Sequence, residues 1–142
     1  MVLLENPATL ASVWDGTVDR RADALFLVFE GSDGRVSKWT YGQFDGIVSR
    51  VAATLVSNGV EPGSSVHMAL ANCPAFVAVW LAAIRLGAWV VTSDPMGGDV
   101  ELSGHIGRTR PVVGICAASR ATVYLSGCGA LRVIEVEEQD PD

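Results

Sequence analysis

The stretch NCPAFVAVWLAAIRLGAWVVTSDP, residues 72–95, decides the fold of this chain. Its residues 75–86 are apolar almost without interruption, which is typical of a helix covered on nearly every side. Asn72 is placed to cap this helix, and Pro74 lies in the first turn, where a missing N–H does no harm. We therefore predict a buried helix at this position.

A short strand follows this helix, and the same succession recurs along the chain. Gly87 ends the helix, and the apolar run 89–92 predicts a buried strand. Similar patterns predict further strands at 65–70, 112–117 and 131–136, and helices at 41–58, 99–109 and 119–126. Alternating helices and apolar strands indicate right-handed β-α-β units. The predicted fold class is α/β, a mostly parallel sheet with helices on both faces.

The first forty residues add a helix and a hairpin to this unit. Apolar residues three to four apart predict an amphipathic helix over residues 6–21, lying over the domain as a lid. Residues 24–29 and 35–39 favour strands, and the turn 31–34 between them indicates an N-terminal β-hairpin. Thr40 is placed to cap the helix that follows.

Composition limits the class of protein and its partners. The 142 residues suit a single α/β domain, 1–142, in which residues 137–142 form an acidic frayed tail. Hydrophobic residues make up 49% and charged residues 18%, which excludes a disordered chain. The net charge of −6 argues against nucleic acid or an anionic membrane as partner, because both need clustered basic residues. With no membrane span and no basic leader, a cytoplasmic location is expected.

Cysteines and histidines show no pattern typical of a metal site or a nucleophile. Cys73, Cys116 and Cys128 lack zinc-type spacing, so free thiols are the simplest interpretation. His67 falls in mid-strand, where a hydrogen-bonded structural histidine is expected, and His105 is expected to lie half-exposed on a helix. We predict no metal site, and no catalytic cysteine because no base is paired with one.

Loops that bind phosphate are also missing from these residues. No G-x-G-x-x-G opens a helix after a strand, and no G-x-x-x-x-G-K-[ST] occurs. Gly127-Cys128-Gly129 precedes a strand and is predicted to be a turn. Lys38, the single lysine, is interpreted as a surface charge on a strand.

Carboxylates follow the strand 89–92, at the edge where ligands bind in parallel sheets. Asp94 could orient a ligand there, although Asp before Pro is also an ordinary start to a loop. Asp99 is predicted to cap the next helix, and Glu101 to favour its first turn by charge.

Several motifs are similar to those of one enzyme family. Residues 39–44 resemble its Thr-Tyr-x-Glu-Leu element, and residues 55–63 its Leu-x-x-x-Gly-Val-x-x-Gly turn. Residues 66–72 resemble Val-Ala-Ile-x-Leu-x-Asn, and residues 85–95 resemble Ala-Gly-Ala-x-Val-Pro-x-Asn/Asp-Pro. From about Leu10 to Val136 the chain resembles the N-terminal part of the AMP-forming acyl-CoA synthetases and their adenylate-forming relatives.

The resemblance implies a two-step ligase in the complete enzyme. A carboxylate and ATP give acyl-adenylate and pyrophosphate, and the thiol of CoA then displaces AMP, so ATP, Mg²⁺ and CoA are implied for the full-length enzyme. The family's Ser-Gly-Thr-Thr-Gly-x-Pro-Lys-Gly loop, ribose-binding Asp, magnesium-binding Glu and adenylation lysine are expected beyond residue 142. No catalytic, cofactor-binding or metal residue is therefore assigned, and the chain is expected to be inactive alone.

The chain departs from the family pattern at several positions. Gln43-Phe44 replaces the usual Glu-Leu, Thr92 stands where Pro is frequent, and Met96 stands where some relatives carry a basic residue near the CoA nucleotide. The four tryptophans are interpreted as core or interface residues, and for Trp80 and Trp89 a core role is preferred over lining an acid pocket. Nothing here selects between fatty and aromatic acids.

Three functional classes are considered, and one form of assembly. The first is the N-terminal subdomain of an acid–CoA ligase; the alternative is a stand-alone non-catalytic α/β binding or interaction module. A Rossmann-type oxidoreductase is third and lacks its glycine fingerprint. A bare apolar sheet face or strand edge is expected to drive self-association into a homodimer.

Overall fold

The structure is a computed structural model that describes residues 8–138. Its helices are α1 (Leu10–Arg21), α2 (Tyr41–Ser57), α3 (Pro74–Arg85), α4 (Asp99–Thr109) and α5 (Ala121–Gly127). Its strands are β1 (Leu25–Glu30), β2 (Val36–Thr40), β3 (Ser65–Ala69), β4 (Trp89–Thr92), β5 (Val113–Ala117) and β6 (Arg132–Val136). The predicted start of the first helix, residues 6 and 7, and residues 139–142 of the predicted frayed tail lie outside the described residues.

The predicted mostly parallel sheet is confirmed. Its four strands lie in the order β4-β3-β5-β6, and every neighbouring pair is parallel. β5 is buried along its whole length, as a central strand between two helical layers should be. β1 and β2 form a separate antiparallel pair, which confirms the predicted hairpin.

Helices cover both faces of the sheet. On one face α2 and α3 pack against Val66 and Met68 of β3 and Ile115 of β5, all at most 1% exposed. On the other face α4 and α5 form a smaller cluster with Cys116 of β5. Alternate residues of each strand supply these two layers, because successive side chains point to opposite faces.

The hairpin and α1 pack against the layer of α2 and α3 through aromatic rings and one ion-pair network. Trp14 and Trp39 are both buried, which confirms their predicted core role, and the rings of Trp14 and Phe26 lie 4.8 Å apart. Trp14 Nε1 donates to Asp45 Oδ1 at 2.8 Å, and Arg85 reaches the same oxygen at 2.5 Å. α1 is thereby joined to both α2 and α3. Lys38 is exposed on β2, as predicted.

Helix ends agree with the sequence in one helix and differ in two. Thr40 and Gln43 form a capping box at the start of α2, and Gly59 with φ +92° follows its end, as Asn58-Gly59 predicts. The predicted cap Asn72 is wrong, because Pro74 occupies the first helical position and makes Cys73 the cap.

The predicted cap Asp99 is also wrong. Gly98 caps α4, and Asp99 is already helical, with its Oδ1 accepting from Val100 N at 2.8 Å. Asp99 and Glu101 both lie in the first turn, so the charge predicted to favour this helix start is present.

We expect Thr40→Ala to lower the free energy of unfolding by about 1 kcal/mol, because Thr40 Oγ1 accepts from Gln43 N at the start of α2. Thr54→Ala is the matched control in the same helix. Its hydroxyl bonds only the carbonyl of Arg50 within the helix, so its loss should leave stability unchanged or slightly raised. Urea unfolding measures both variants, and an equal loss in the two would contradict a capping role.

Two tryptophans lie where the sequence analysis does not place them. Trp89 is 71% exposed at the start of β4, and Trp80 is 39% exposed on α3. The preferred core role for both is wrong, because β4 is an edge strand and α3 buries its opposite side against the sheet. Within residues 8–138, no helix combines the length and apolar character needed to cross a membrane.

Candidate functional site at the carboxyl edge of the sheet

The carboxyl ends of the parallel strands surround a small cavity on the α4–α5 face. Its volume is about 20 Å³, enough for one water molecule. Polar side chains line this cavity: Ser93 and Asp94 from the loop after β4, Glu101 from α4 and Tyr124 from α5. This edge is where ligands bind in open α/β sheets, so its side chains are the candidate site.

A buried histidine forms the centre of this edge. His67, on β3, is fully buried, and its two ring nitrogens both have partners. Nδ1 lies 2.6 Å from the hydroxyl of Tyr124 on α5, and Nε2 lies 2.7 Å from Ser93 Oγ. Ser93 Oγ also lies 2.8 Å from Nδ1 of His105 on α4. The hydrogen bonding predicted for His67 is confirmed, and the network joins the sheet to both helices.

Burial keeps His67 neutral and Tyr124 protonated. Loss of solvent, with a smaller effect of the nearby His105, lowers the pKa of His67 from its ordinary 6.5 to about 4. Burial also raises the pKa of Tyr124, so its hydroxyl keeps its proton. A neutral histidine donates once and accepts once.

One direction gives the protons of Tyr124, His67 and Ser93 each a protein acceptor. Tyr124 donates to His67 Nδ1, His67 Nε2–H donates to Ser93 Oγ, and Ser93 donates to His105 Nδ1. In the opposite direction no protein group within residues 8–138 would accept the phenolic proton of Tyr124. Because His67 Nε2 carries the proton toward Ser93, His67 cannot act as a general base for that serine.

Sequence reasoning missed two members of this network, Ser93 and Tyr124. No local signal identified either one. Ser93 reaches His67 through the strand register, which pairs His67 with Val91, two residues earlier on the same face. Tyr124 lies 57 residues from His67 along the chain.

The loop that follows β4 is held closed by one arginine. The Arg120 guanidinium donates to the carbonyl oxygens of Pro95, Met96 and Gly97 at 3.2 to 3.3 Å. Asp94 Oδ1 accepts from Met96 N at 2.8 Å, which is the ordinary loop-starting interaction. Arg120 and Asp94 thus shape this loop through main-chain contacts.

The three cysteines are free, as predicted, and all three are buried. Burial raises the pKa of each thiol, to about 11 for Cys116, so none is a thiolate at neutral pH. Within residues 8–138 no group of three or more His, Cys, Asp or Glu is placed to hold a metal ion. Gly127 is still the last residue of α5, and the predicted turn follows it, with Gly129 at φ +62° before β6.

A larger apolar groove lies on the opposite face, between α2, α3 and the strands β5 and β6. Its volume is about 400 Å³. Ile115, Ile134 and Val136 form its floor, and Arg50 and Glu137 are among its polar lining residues. The groove shows that α2 and α3 cover β6 incompletely.

Comparisons with known proteins agree with this architecture. The family model described as "AMP-binding enzyme" matches residues 14–141. The chain belongs to this family. Its fold, a parallel four-stranded sheet with a two-stranded hairpin, matches the N-terminal subdomain of adenylate-forming enzymes.

Individual relatives place the chain at the N-terminal part of this family of ligases. Residues of this chain are 32% identical over 82 positions to a crotonobetaine/carnitine–CoA ligase of Salmonella arizonae, covering 58% of this chain and 16% of that ligase. The anthranilate CoA ligase AuaEII has a TM-score of 0.81 at 18% identity, covering 96% of this chain and 27% of that chain. The NpsA N-terminal subdomain of Klebsiella oxytoca has a TM-score of 0.75 at 22% identity, covering 89% of this chain and 30% of that chain.

Proposed function

We propose that this chain serves as the N-terminal subdomain of an ATP-dependent acid–CoA ligase. The family match over residues 14–141, on the fold of the adenylate-forming N-terminal subdomain, carries this proposal. In the complete enzyme ATP, Mg²⁺ and CoA are the reactants and cofactors, and the product is acyl-CoA with AMP and pyrophosphate. A cytoplasmic location and a place in acyl-CoA metabolism, fatty acids included, accompany this role.

The substrate is proposed only as a carboxylic acid. The acids named with the similar proteins are crotonobetaine or carnitine, anthranilate and, as its acyl group, 3-hydroxybenzoate. These acids have a carboxylate in common and differ in the rest of the molecule. This chain is proposed to form one wall of the acid-binding pocket and to contribute no group that reacts with the acid.

The chain alone is proposed to be inactive. Its histidine network is satisfied internally, its thiols are protonated, and Arg120 is occupied by three carbonyl groups. The 142 residues also contain no glycine-rich phosphate loop. These side chains support the architecture of an adenylating enzyme and do not supply its chemistry.

Pyrophosphate release tests this function. We expect the 142-residue chain to release none from ATP and Mg²⁺ above background with a panel of fatty and aromatic acids, with or without CoA. A complete acid–CoA ligase in the same assay is the positive control. Carboxylate-dependent release of pyrophosphate by the chain alone would contradict the proposal. A longer protein encoded by the same gene that forms no acyl-adenylate would also contradict it.

A homodimer is proposed as the state of the isolated chain. Exposed apolar side chains occur on several elements, among them Trp89 on β4, Val28 on β1 and Leu125 on α5. Trp89 is the largest of them and lies on an edge strand of the sheet, so its burial between two copies would support self-association. The alternative of a stand-alone binding module is favoured by one observation, the apolar groove of about 400 Å³ beside β6.

A further inference from the structure

We infer that two copies of this chain pair through the outer edge of β4, extending the parallel sheet across a two-fold axis. This inference deepens the proposed homodimer by naming the surface through which the copies meet. It rests on the main-chain geometry of β4, on the lack of charge along it, and on the exposed Trp89 at its start.

The main-chain groups of β4 alternate between the sheet and the outer edge. Trp89 N donates to Ser64 O at 2.7 Å, and Ser93 N donates to Met68 O at 3.0 Å, both toward β3. Because this alternation has a period of two, the N–H and C=O groups of Val90 and Thr92 point away from β3. β4 ends the strand order of its sheet in the described part of the chain, so these four groups form an open edge.

This edge is complementary to itself. A two-fold axis through Val91, perpendicular to the sheet, places Val90 of one copy opposite Thr92 of the other in an antiparallel pair. Opposed residues of this kind exchange both main-chain hydrogen bonds. Each Val90–Thr92 pair then makes two bonds, so four bonds satisfy the outward groups of both copies.

The residues of this edge carry nothing that opposes pairing. Exposed edge strands are commonly protected by charges or proline, and residues 86–93 contain neither. The opposite edge strand, β6, carries exposed Arg132 and Glu135. Charged side chains of this kind protect an edge strand from pairing, and β4 lacks them.

Exposed aromatic surface lies next to the same edge. Trp89 begins β4 and is 71% exposed. Because Val91 pairs with His67, Trp89, two residues earlier, lies on the sheet face that α4 and α5 cover. Burial of Trp89 in the paired edge supplies area that four main-chain bonds alone do not, since specific contacts bury roughly 1,000 Å² or more.

Sedimentation equilibrium of Thr92→Pro against Thr92→Ala tests this surface. Proline removes the outward N–H and is tolerated on an edge strand whose N–H does not bond its neighbour, whereas alanine keeps the N–H. We expect a wild-type dimer, a dissociation constant within about threefold of wild type for Thr92→Ala, and at least a tenfold weaker dimer for Thr92→Pro. Far-UV circular dichroism reports whether each variant is folded.

Hydrogen exchange on the wild-type chain gives a readout that needs no variant. The amides of Val90 and Thr92 should become protected as concentration rises from micromolar to millimolar, while exposed loop amides should not. A wild-type monomer throughout this range, or a Thr92→Pro dimer of unchanged affinity, would overturn the inference. A dimer lost in Val136→Lys and kept in Thr92→Pro would place the contact at β6 and would also overturn it. Pyrophosphate release is independent of all these outcomes, so the ligase proposal stands or falls separately.

Discussion

Gly114→Ala is expected to lower the free energy of unfolding by about 3 kcal/mol or more. Gly114 lies in the buried strand β5, where an added Cβ would fall 2.3 Å from the hydroxyl of Tyr124 and 2.9 Å from Leu131 Cδ2. The hydroxyl cannot move aside freely, because it donates to the fully buried His67 at 2.6 Å. The variant must therefore lose that hydrogen bond or separate α5 from the sheet.

Urea unfolding of Gly114→Ala beside Gly107→Ala measures this effect. Gly107 lies exposed in α4 with no atom within 4 Å of an added Cβ, so alanine there should stabilise the chain by about 0.5–1 kcal/mol. Adding Tyr124→Phe to Gly114→Ala removes the nearest clashing atom. We expect the double variant to be less destabilised than the sum of the two single variants. Additive losses would show that the hydroxyl is not the obstacle.

Acidification is expected to remove about 3 kcal/mol of stability through His67 alone. Burial lowers the pKa of this imidazole to about 4, against 6.5 for the ordinary side chain. Between these values the unfolded chain binds a proton that the folded chain does not, so stability rises with pH. The contribution is complete above about pH 6.5 and is lost progressively as the pH falls toward 4.

Urea unfolding from pH 7 to pH 4 separates this contribution from that of other groups. His67→Gln should be less stable than wild type at pH 7, because Tyr124 and Ser93 lose their imidazole partner. Its stability should then change much less with pH than that of wild type. His105→Asn is the control, because burial rather than His105 is the main cause of the lowered pKa, and most of the slope should remain. Equal slopes in wild type and His67→Gln would contradict this account.

Local sequence patterns predicted the elements because their causes lie within a few residues. The glycine turn between β1 and β2, the capping box of Thr40 and Gln43, and the αL glycine at Gly59 were each predictable from neighbours along the chain. The apolar runs predicted β3 and β5 for the same reason. The caps of α3 and α4 were missed by one residue, since two adjacent residues could each serve and only the helical geometry distinguishes them.

The candidate site depended on contacts between residues distant along the chain. His67, Ser93, His105 and Tyr124 come from four different segments, and only the strand order and the packing of α4 and α5 bring them within hydrogen-bond distance. The exposure of Trp80 and Trp89 likewise follows from β4 being an edge strand, which no local pattern specifies.

The sequence by itself determined the α/β class, the hairpin, the family resemblance and the free state of the cysteines. Periodicity, turn residues and short motifs are local, so they can be seen in the chain before it folds. The tertiary structure alone decided the direction of the histidine network, the closed loop held by Arg120 and the open edge of β4. Burial sets the pKa of His67 and strand order sets which main-chain groups stay unpaired, and both are properties of the packed sheet.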